Sequence, residues 1–279
     1  MRTLTRRRWL AAIPAVGAAS LAYPCYLEPR WLEMTRKPLA FFKEQGEAVR
    51  LLHLSDFHAS VAVSLRYLER ALDNALSFRP DVICLTGDFI TAGYDADFER
   101  YRRVLARLAG DVPAFAVLGN HDGGPWAAAR GGDGETGRVA SLLESSGIRL
   151  LHNKAMLARV RGRYFNLVGL ADLWSGQLDP RPFSAAAKDV PTVVMAHNPD
   201  SKEEIAAHPW NLMLAGHTHG GQVRIPLAGA AFAPVRDTRF VEGLKPWNGR
   251  WIHVTRGVGN LWGVRFRCRP EISLLVLGS

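Results

Sequence analysis

"VRLLHLSDFHASVAVSLRYLERALDNALSFRPDVICLTGD", residues 49–88, holds two apolar runs separated by a stretch with helical spacing. The first run, VRLLHLSD, reads as a strand. The segment VSLRYLERALDNALSF reads as an amphipathic helix that Arg79-Pro80 stops, and DVICLTGD is a second, fully apolar strand. Strand, helix, strand in this order predicts two parallel neighbours joined by a covering helix. The pattern continues: DADFERYRRVLARLAG is a helix ending at Gly110, PAFAVLGN a third strand, and GRVASLLESSG a helix ending at Gly147. Beyond residue 148 shorter strands follow (IRLLHN, AMLARVRG, YFNLVGLAD), then two more buried runs, TVVMAHNP and NLMLAGHTH, bridged by the helical SKEEIAAH. The tail, RWIHVTRGVG and VRFRCRPEISLLVLG, again reads as strands. An α/β fold is expected, with two mixed sheets packed together and helices outside. No internal repeat is evident, and residues 122–137 form a glycine-rich loop whose simplest reading is flexibility.

The bulk properties fit one large domain. The chain has 279 residues, 48% of them hydrophobic and 22% charged, which is ordinary for a folded protein. Its net charge of +9 is unevenly placed: residues 1–37 carry +5 and residues 236–270 carry +6, so the rest is close to neutral. A uniformly basic nucleic-acid surface is therefore not expected. Cys25, Cys84 and Cys268 lack C-x-x-C spacing, and an odd count closes no disulfide framework. Arg6–Arg8 precede an uncharged run from Trp9 to Tyr26, and Thr5–Leu10 looks like a twin-arginine export signal. Residues 1–26 are thus expected to be a removed signal or a retained anchor, 27–47 a linker, and 48–279 the globular domain. Charge before the apolar run predicts an external domain.

Five apolar runs end in polar residues. LLHLSDFH delivers Asp56 and His58, ICLTGD delivers Asp88, FAVLGNHD delivers Asn120, His121 and Asp122, VVMAH delivers His197, and LMLAGHTH delivers His217 and His219. Ligands collect at the carboxyl ends of strands in open α/β sheets, so these side chains should meet in one cleft. An isolated H-x-H pair suits one shared metal or two neighbouring ones. Carboxylates, an amide oxygen and imidazoles without cysteine suit Mn, Fe or Zn, and seven donors exceed the needs of a single ion. They suit two ions about 3.5–4 Å apart.

The ordered set D-x-H, GD, GNHD, a later His and GHTH resembles the calcineurin-like metallophosphoesterases, and the tail TRGVGN…VRFRCRPEI resembles a membrane-associated bacterial subgroup of them. The resemblance implies a four-layer α/β/β/α sandwich. It implies that Asp56, His58 and His219 hold one divalent ion, that Asn120, His197 and His217 hold a second, and that Asp88 bridges the pair. His121 would then be catalytic, donating a proton to the leaving group as an imidazolium, with Asp122 fixing its orientation. Two cations would activate a shared water as hydroxide and neutralise phosphoryl oxygens.

The implied partners are a phosphate-ester or pyrophosphate substrate, with UDP-2,3-diacylglucosamine of lipid A metabolism as the subgroup's example, and a membrane reached through the N-terminus. A UDP-linked precursor is cytoplasmic, which conflicts with an external domain unless the first segment lies on the inner membrane surface. Two other readings stand beside this one: nuclease or nucleotidase activity, and a scaffold without catalysis. Among the other histidines, His53 is expected to be buried and structural, and His152, His208 and His253 to be structural or exposed. Arg256 and the alternating Arg265, Arg267 and Arg269 are expected on one strand face, solvated at a sheet edge, with contact to a phosphate or anionic lipid as the alternative.

Overall fold

The computed structural model describes residues 22–95, 97–110, 112–230 and 232–279. The expected leader therefore lies outside the described residues except for its last five. Two six-stranded sheets form the body. The first contains β1 (Glu33–Ala40), β2 (Val49–Leu54), β3 (Val82–Thr86), β4 (Ala114–Val117), β5 (Arg149–Leu150) and β14 (Glu271–Gly278), in the order β1-β14-β2-β3-β4-β5. The second contains β6 (Lys154–Val160), β7 (Arg163–Gly169), β8 (Thr192–Met195), β9 (Leu212–Ala215), β12 (Gly243–Trp247) and β13 (Arg250–Val254), in the order β12-β13-β9-β8-β7-β6. A small hairpin, β10 (Arg224–Ile225) and β11 (Gly229–Ala230), stands apart.

The strands expected from residues 49–88 are parallel neighbours, with Leu51 opposite Val82 and Leu54 opposite Leu85. Their crossover is α1 (Leu65–Leu76), whose Ser64 hydroxyl accepts from the Tyr67 amide and caps the first turn. Along with α2 (Phe98–Ala106) and α4 (Gly137–Ser145), it covers the outer face of the first sheet through Leu52, Leu54, Ile83 and Leu85. The inner faces of the two sheets meet through Leu51, Cys84 and Val117 on one side and Leu167, Met195 and Leu214 on the other. On the far face of the second sheet the covering layer is thin. Single turns such as Ser201–Glu204 and Arg181–Ala185 and the stacked Trp210–Trp247 pair do the work of helices.

Residues 27–47 are not a linker. β1 pairs in parallel with β14 over its full length, from Glu33 opposite Glu271 to Ala40 opposite Gly278. It is an edge strand carrying Arg36, Lys37 and Pro38, so its composition resembles a solvated connection while its backbone completes the sheet. The stretch 264–269 is likewise no strand, and Tyr23–Arg30 packs against it. The Glu28 carboxylate accepts from the Arg267 and Cys268 amides, and the Tyr23 and Phe266 rings meet edge to face at 6.3 Å.

Glu271 secures the edge. Its carboxylate accepts from the Thr35 hydroxyl at 2.7 Å and from Arg256 N and Nε at 3.2 and 3.3 Å, while Arg256 also pairs with Glu33 at 2.9 Å. Burial works to raise the Glu271 pKa, but His253, Arg256 and Thr35 outweigh it and hold it at about 2. Burial depresses His253 itself to about 4, so near neutral pH it is Arg256 that supplies the charge. A carboxyl held below its ordinary 4.5 contributes stability that is present above that value and lost as pH falls toward 2. The contribution is of the order of 3 kcal/mol. Glu271→Gln is expected to flatten the acid limb of urea-measured stability in that window; an unchanged acid limb would refute the assignment.

Candidate metal centre

The polar ends of β2, β3, β4, β8 and β9 converge where the two sheets meet. Asp56, His58, Asp88, Asn120, His197, His217 and His219 are all buried. Their backbones are unusual: Asp56, His58, Asp88, His217 and His219 all have φ between 45° and 69°. Left-handed backbone costs a side-chain-bearing residue energy, and such residues cluster at functional sites. The conformation is imposed by cross-links between strand ends. The Asp56 amide donates to Gly87 O, the His58 amide to Asp88 O, and the His217 amide to both oxygens of Asp56, at 3.0 and 3.1 Å.

The glycines ahead of these residues serve close packing as much as turning. Gly87 does take φ +88°, but Gly119 and Gly216 do not lie in the left-handed region. A Cβ on Gly119 would sit 2.2 Å from Asp88 Oδ1, and one on Gly216 would sit 2.0 Å from Ser55 Oγ and 2.2 Å from Asp56 Oδ2. The carboxylates of Asp88 and Asp56 occupy the space a side chain would need.

Two clusters result. In the first, His58 Nε2 lies 3.0 Å from His219 Nε2 and 3.9 Å from Asp56 Oδ1, and His219 Nε2 lies 3.3 Å from Asp56 Oδ1. In the second, His197 Nε2 lies 3.1 Å from His217 Nδ1. Asp88 Oδ2 reaches both, 3.3 Å from His58 and 3.2 Å from His197, while its Oδ1 is held by the His121 amide at 2.9 Å. Donor atoms lie close enough together to hold a cation in Asp56–His58–His219 and in Asp88–His197–His217, and also in His58–Asp88–His121, which lies between them.

The residues fit such an ion. His197 Nδ1 is 2.7 Å from Thr86 O and must donate its proton there, so a neutral His197 turns a bare Nε2 lone pair toward Asp88 and His217. Asn120 Oδ1 is buried with no hydrogen-bond partner among the described residues. Converging, unsatisfied acceptors in a buried site need a positive charge. Without a metal, a proton takes that place: burial resists the charge on His197, but Asp88 and then Asp56 outweigh it and raise its pKa to about 10. Burial, reinforced by neighbouring imidazoles, pushes His217 and His219 well down, keeping them neutral and ligand-ready.

Two expected roles change. Asp122 does not touch the His121 ring; its carboxylate accepts from the amides of Asp88, Phe89, Ile90 and Gly119 at 2.7–3.3 Å. It ties the turn after β3 to the turn after β4 and so places Asp88 and Asn120, which makes it a positioning residue. His121 is oriented instead by the Ala92 amide, which donates to its Nδ1 at 3.0 Å. A ring that accepts at Nδ1 carries its proton on Nε2. Burial further depresses its pKa to about 4, so the imidazolium expected from the sequence gives way to a neutral Nε2–H donor.

The rim adds residues that the strand-end pattern does not reach. β7 is a sixth strand end, and beyond it Trp174 stands edge-on to His217 with ring centres 4.2 Å apart. Trp126, on α3 (Pro125–Ala128) in the glycine-rich loop, packs 4.6 Å from His121 and carries the Arg130 guanidinium at 3.8 Å on its ring. That loop is thus built around a helical turn rather than being simply flexible. Two tryptophans, one in a loop and one just past a strand, have no periodic signature that sets them apart from core residues. His53, expected to be structural, is buried and pairs Nδ1 to Nδ1 with the equally buried His253 at 2.8 Å, and its Nε2 meets Thr86 Oγ1 at 2.9 Å.

Comparison with known proteins agrees with this geometry. The chain is 44% identical over 276 residues to Phosphodiesterase YaeI of Escherichia coli (strain K12), covering 98% of this chain and 99% of that one. It is 25% identical over 318 residues to UDP-2,3-diacylglucosamine pyrophosphatase LpxG of Chlamydia trachomatis, covering 95% of each. The fold resembles that of a 5'-nucleotidase precursor from Thermus thermophilus, with a TM-score of 0.50 and 14% identity, covering 83% of this chain but only 55% of that one. Residues 49–221 match the Calcineurin-like phosphoesterase family, which normally uses two divalent metals. The chain belongs to that family and is a metallophosphoesterase, a hydrolase of phosphoric ester bonds.

Proposed function

We propose that the protein hydrolyses phosphodiesters at a dinuclear centre, with Asp56, His58 and His219 holding one divalent ion, Asn120, His197 and His217 the other, and Asp88 shared. The observation that carries this reading is Asp88 Oδ2, 3.3 Å from the first cluster and 3.2 Å from the second. When bound, such a pair supplies Lewis acidity, activating a water and neutralising phosphoryl oxygens. The protein's part is to fix the donors and keep the site dry. Thr86 O and Asp122 hold His197 and Asp88 in place, and Trp126 and Trp174 pack side by side at the rim. His121 offers a hydrogen bond from Nε2 to a phosphoryl or leaving-group oxygen. Mn, Fe and Zn all suit the donor set.

His121→Ala is expected to retain metal and lower kcat about 100-fold, the usual worth of one oriented donor to developing charge. Metal-to-protein ratios and kinetics on the same preparation check this; loss of metal would make His121 a ligand instead. The reaction itself is tested by screening metal-reconstituted protein against phosphomonoesters, phosphodiesters and a UDP-linked lipid. The high similarity to a phosphodiesterase favours the diester. Similarity to LpxG over nearly the whole length of both chains supports a nucleotide-lipid pyrophosphate as the second reading, which would place the protein in lipid A metabolism. Selective turnover of the UDP-lipid would establish it.

A further inference from the structure

We propose that the corner of the fold bearing Tyr26, Val61 and Trp262 is a lipid-bilayer contact surface beside the metal centre. Val61 is 93% exposed, Trp262 81% and Tyr26 66%, and all three line one groove of about 320 Å³ together with Arg30. Single exposed apolar residues are ordinary, whereas a shared patch marks an interaction site. Leu27 and Trp31, close to Tyr26 in the chain, are exposed as well, and the Arg269 guanidinium lies 4.2 Å over the Trp31 ring. Aromatic and aliphatic side chains interleaved with Arg30, Arg267 and Arg269 form the mixture that sits at a headgroup boundary and attracts anionic lipid.

Local structure holds these side chains outward. Trp262 takes φ +58°, an outlier for a bulky aromatic residue. Val61 tops a tight turn in which the Ser60 amide donates to Val63 O and the Val63 amide to Ser60 Oγ. Glu28 pins the Tyr23–Arg30 segment to the 264–269 segment through its bonds to the Arg267 and Cys268 amides. Apolar groups held in water by a strained and cross-linked backbone point to an external partner.

The chain itself favours a bilayer as that partner. Residues 1–21 lead into Tyr23–Leu27, and their sequence includes the uncharged run that follows Arg6–Arg8. If that run is retained as an anchor, it brings this corner to the same surface. No helix among the described residues is long and apolar enough to cross a membrane, so the folded domain contributes a contact rather than a span.

The corner also adjoins the chemistry. Val61 lies three residues beyond His58, and the loop bearing Trp262 is bound to the first cluster by the Val258 amide donating to Ser55 O and the Gly259 amide to Asp56 O. On the diesterase reading above, a bilayer held at this corner would bring membrane phosphodiesters near the metal centre. The contact surface itself does not depend on that reading.

The test uses the full chain reconstituted into vesicles of phosphatidylcholine with a minority of phosphatidylglycerol. Trp262→Cys in a Cys25→Ser background is labelled with an environment-sensitive fluorophore, Cys84 and Cys268 being buried. A second preparation carries the label at Leu157→Cys, exposed on β6 at the far edge of the second sheet. The expected result is several-fold stronger quenching by shallow spin-labelled lipid at 262 than at 157, with protection from aqueous iodide at 262 alone. Equal iodide access at both positions overturns the proposal. Shielding of 262 from both quenchers also overturns it, since the groove is then filled by residues 1–21 or by a second copy. Val61→Cys, which sacrifices almost no packing, repeats the measurement if the Trp262 variant folds poorly. None of these readouts requires turnover, so a failed contact and a failed enzymatic assignment remain distinguishable.

Discussion

Asp88→Asn is expected to leave a folded protein that has lost hydrolysis by roughly 10³-fold or more, about 4 kcal/mol of transition-state stabilisation. Its metal content should fall below that of the unsubstituted protein. The change is gentle to the fold for two reasons. Position 88 has φ +56°, and Asn is among the few residues that tolerate left-handed backbone. The amide oxygen can still accept from the His121 amide, now 2.9 Å from Asp88 Oδ1. The other end of the group changes sign. An NH₂ would point at His58 Nε2 and His197 Nε2, where the carboxylate now offers a lone pair at 3.3 and 3.2 Å. A donor facing two imidazole lone pairs satisfies them without a cation, so the substitution removes one charge and supplies a substitute for the metal. His217→Ala and His219→Ala should each weaken one cluster, whereas Asp88→Asn weakens both. Metal analysis after gel filtration, with circular dichroism as the folding control, decides the matter. Full metal content with full activity would remove Asp88 from its shared position.

Much of this centre is readable in the sequence because parallel strands buried on both faces appear as uninterrupted apolar runs, and the first polar residue after each run marks its carboxyl end. Asn120, His197 and His217 stand in that place, and Asp56 and Asp88 follow within two residues of it, after Ser55 and after Thr86-Gly87. The features that escape such a reading are carried by residues whose role depends on long-range partners. β1 has the composition of a solvated linker and is recognisable only through its pairing with β14. Asp122 adjoins His121 in sequence, yet its oxygens turn toward the β3 turn more than thirty residues away. His253 finds its hydrogen-bond partner in His53, 200 residues distant. Trp126 and Trp174 come from separate connections that the fold lays side by side at 6.0 Å. The alternating arginines near the C-terminus look like the outer face of a strand because charge normally implies solvent, a rule that fails where backbone carbonyls stand in for water.

Arg265 is that failure, and it carries the largest stability prediction. The side chain is fully buried, and its guanidinium donates to Gly259 O at 2.6 and 3.1 Å, to Arg256 O at 2.6 Å, to Cys268 O at 3.0 Å and to His219 O at 3.3 Å. Burial lowers its pKa from an ordinary value high enough that the group remains cationic. It is therefore a hub that gathers the carbonyls of the 256–259 loop, of His219 and of the 265–268 turn. Arg265→Met fits the volume and removes the buried charge, which by itself can be neutral or favourable. It also leaves several buried carbonyls without donors, at about 1–3 kcal/mol for each that finds no water. The net expectation is a loss of about 3–5 kcal/mol, and a fall in Tm of the order of 10 °C for a chain of this size. Arg265→Lys should recover part of that, since an ammonium brings three donors instead of five and lacks the planar fork. Because His219 O and the loop bonded to Asp56 both hang from this guanidinium, the Lys variant should bind metal more weakly at the Asp56–His58–His219 cluster than at the other. Thermal unfolding combined with metal titration separates the outcomes. A Met variant as stable as the original would mean that water fully replaces the guanidinium, and equal weakening of both clusters would mean that Arg265 supports the fold at large and not the first cluster in particular.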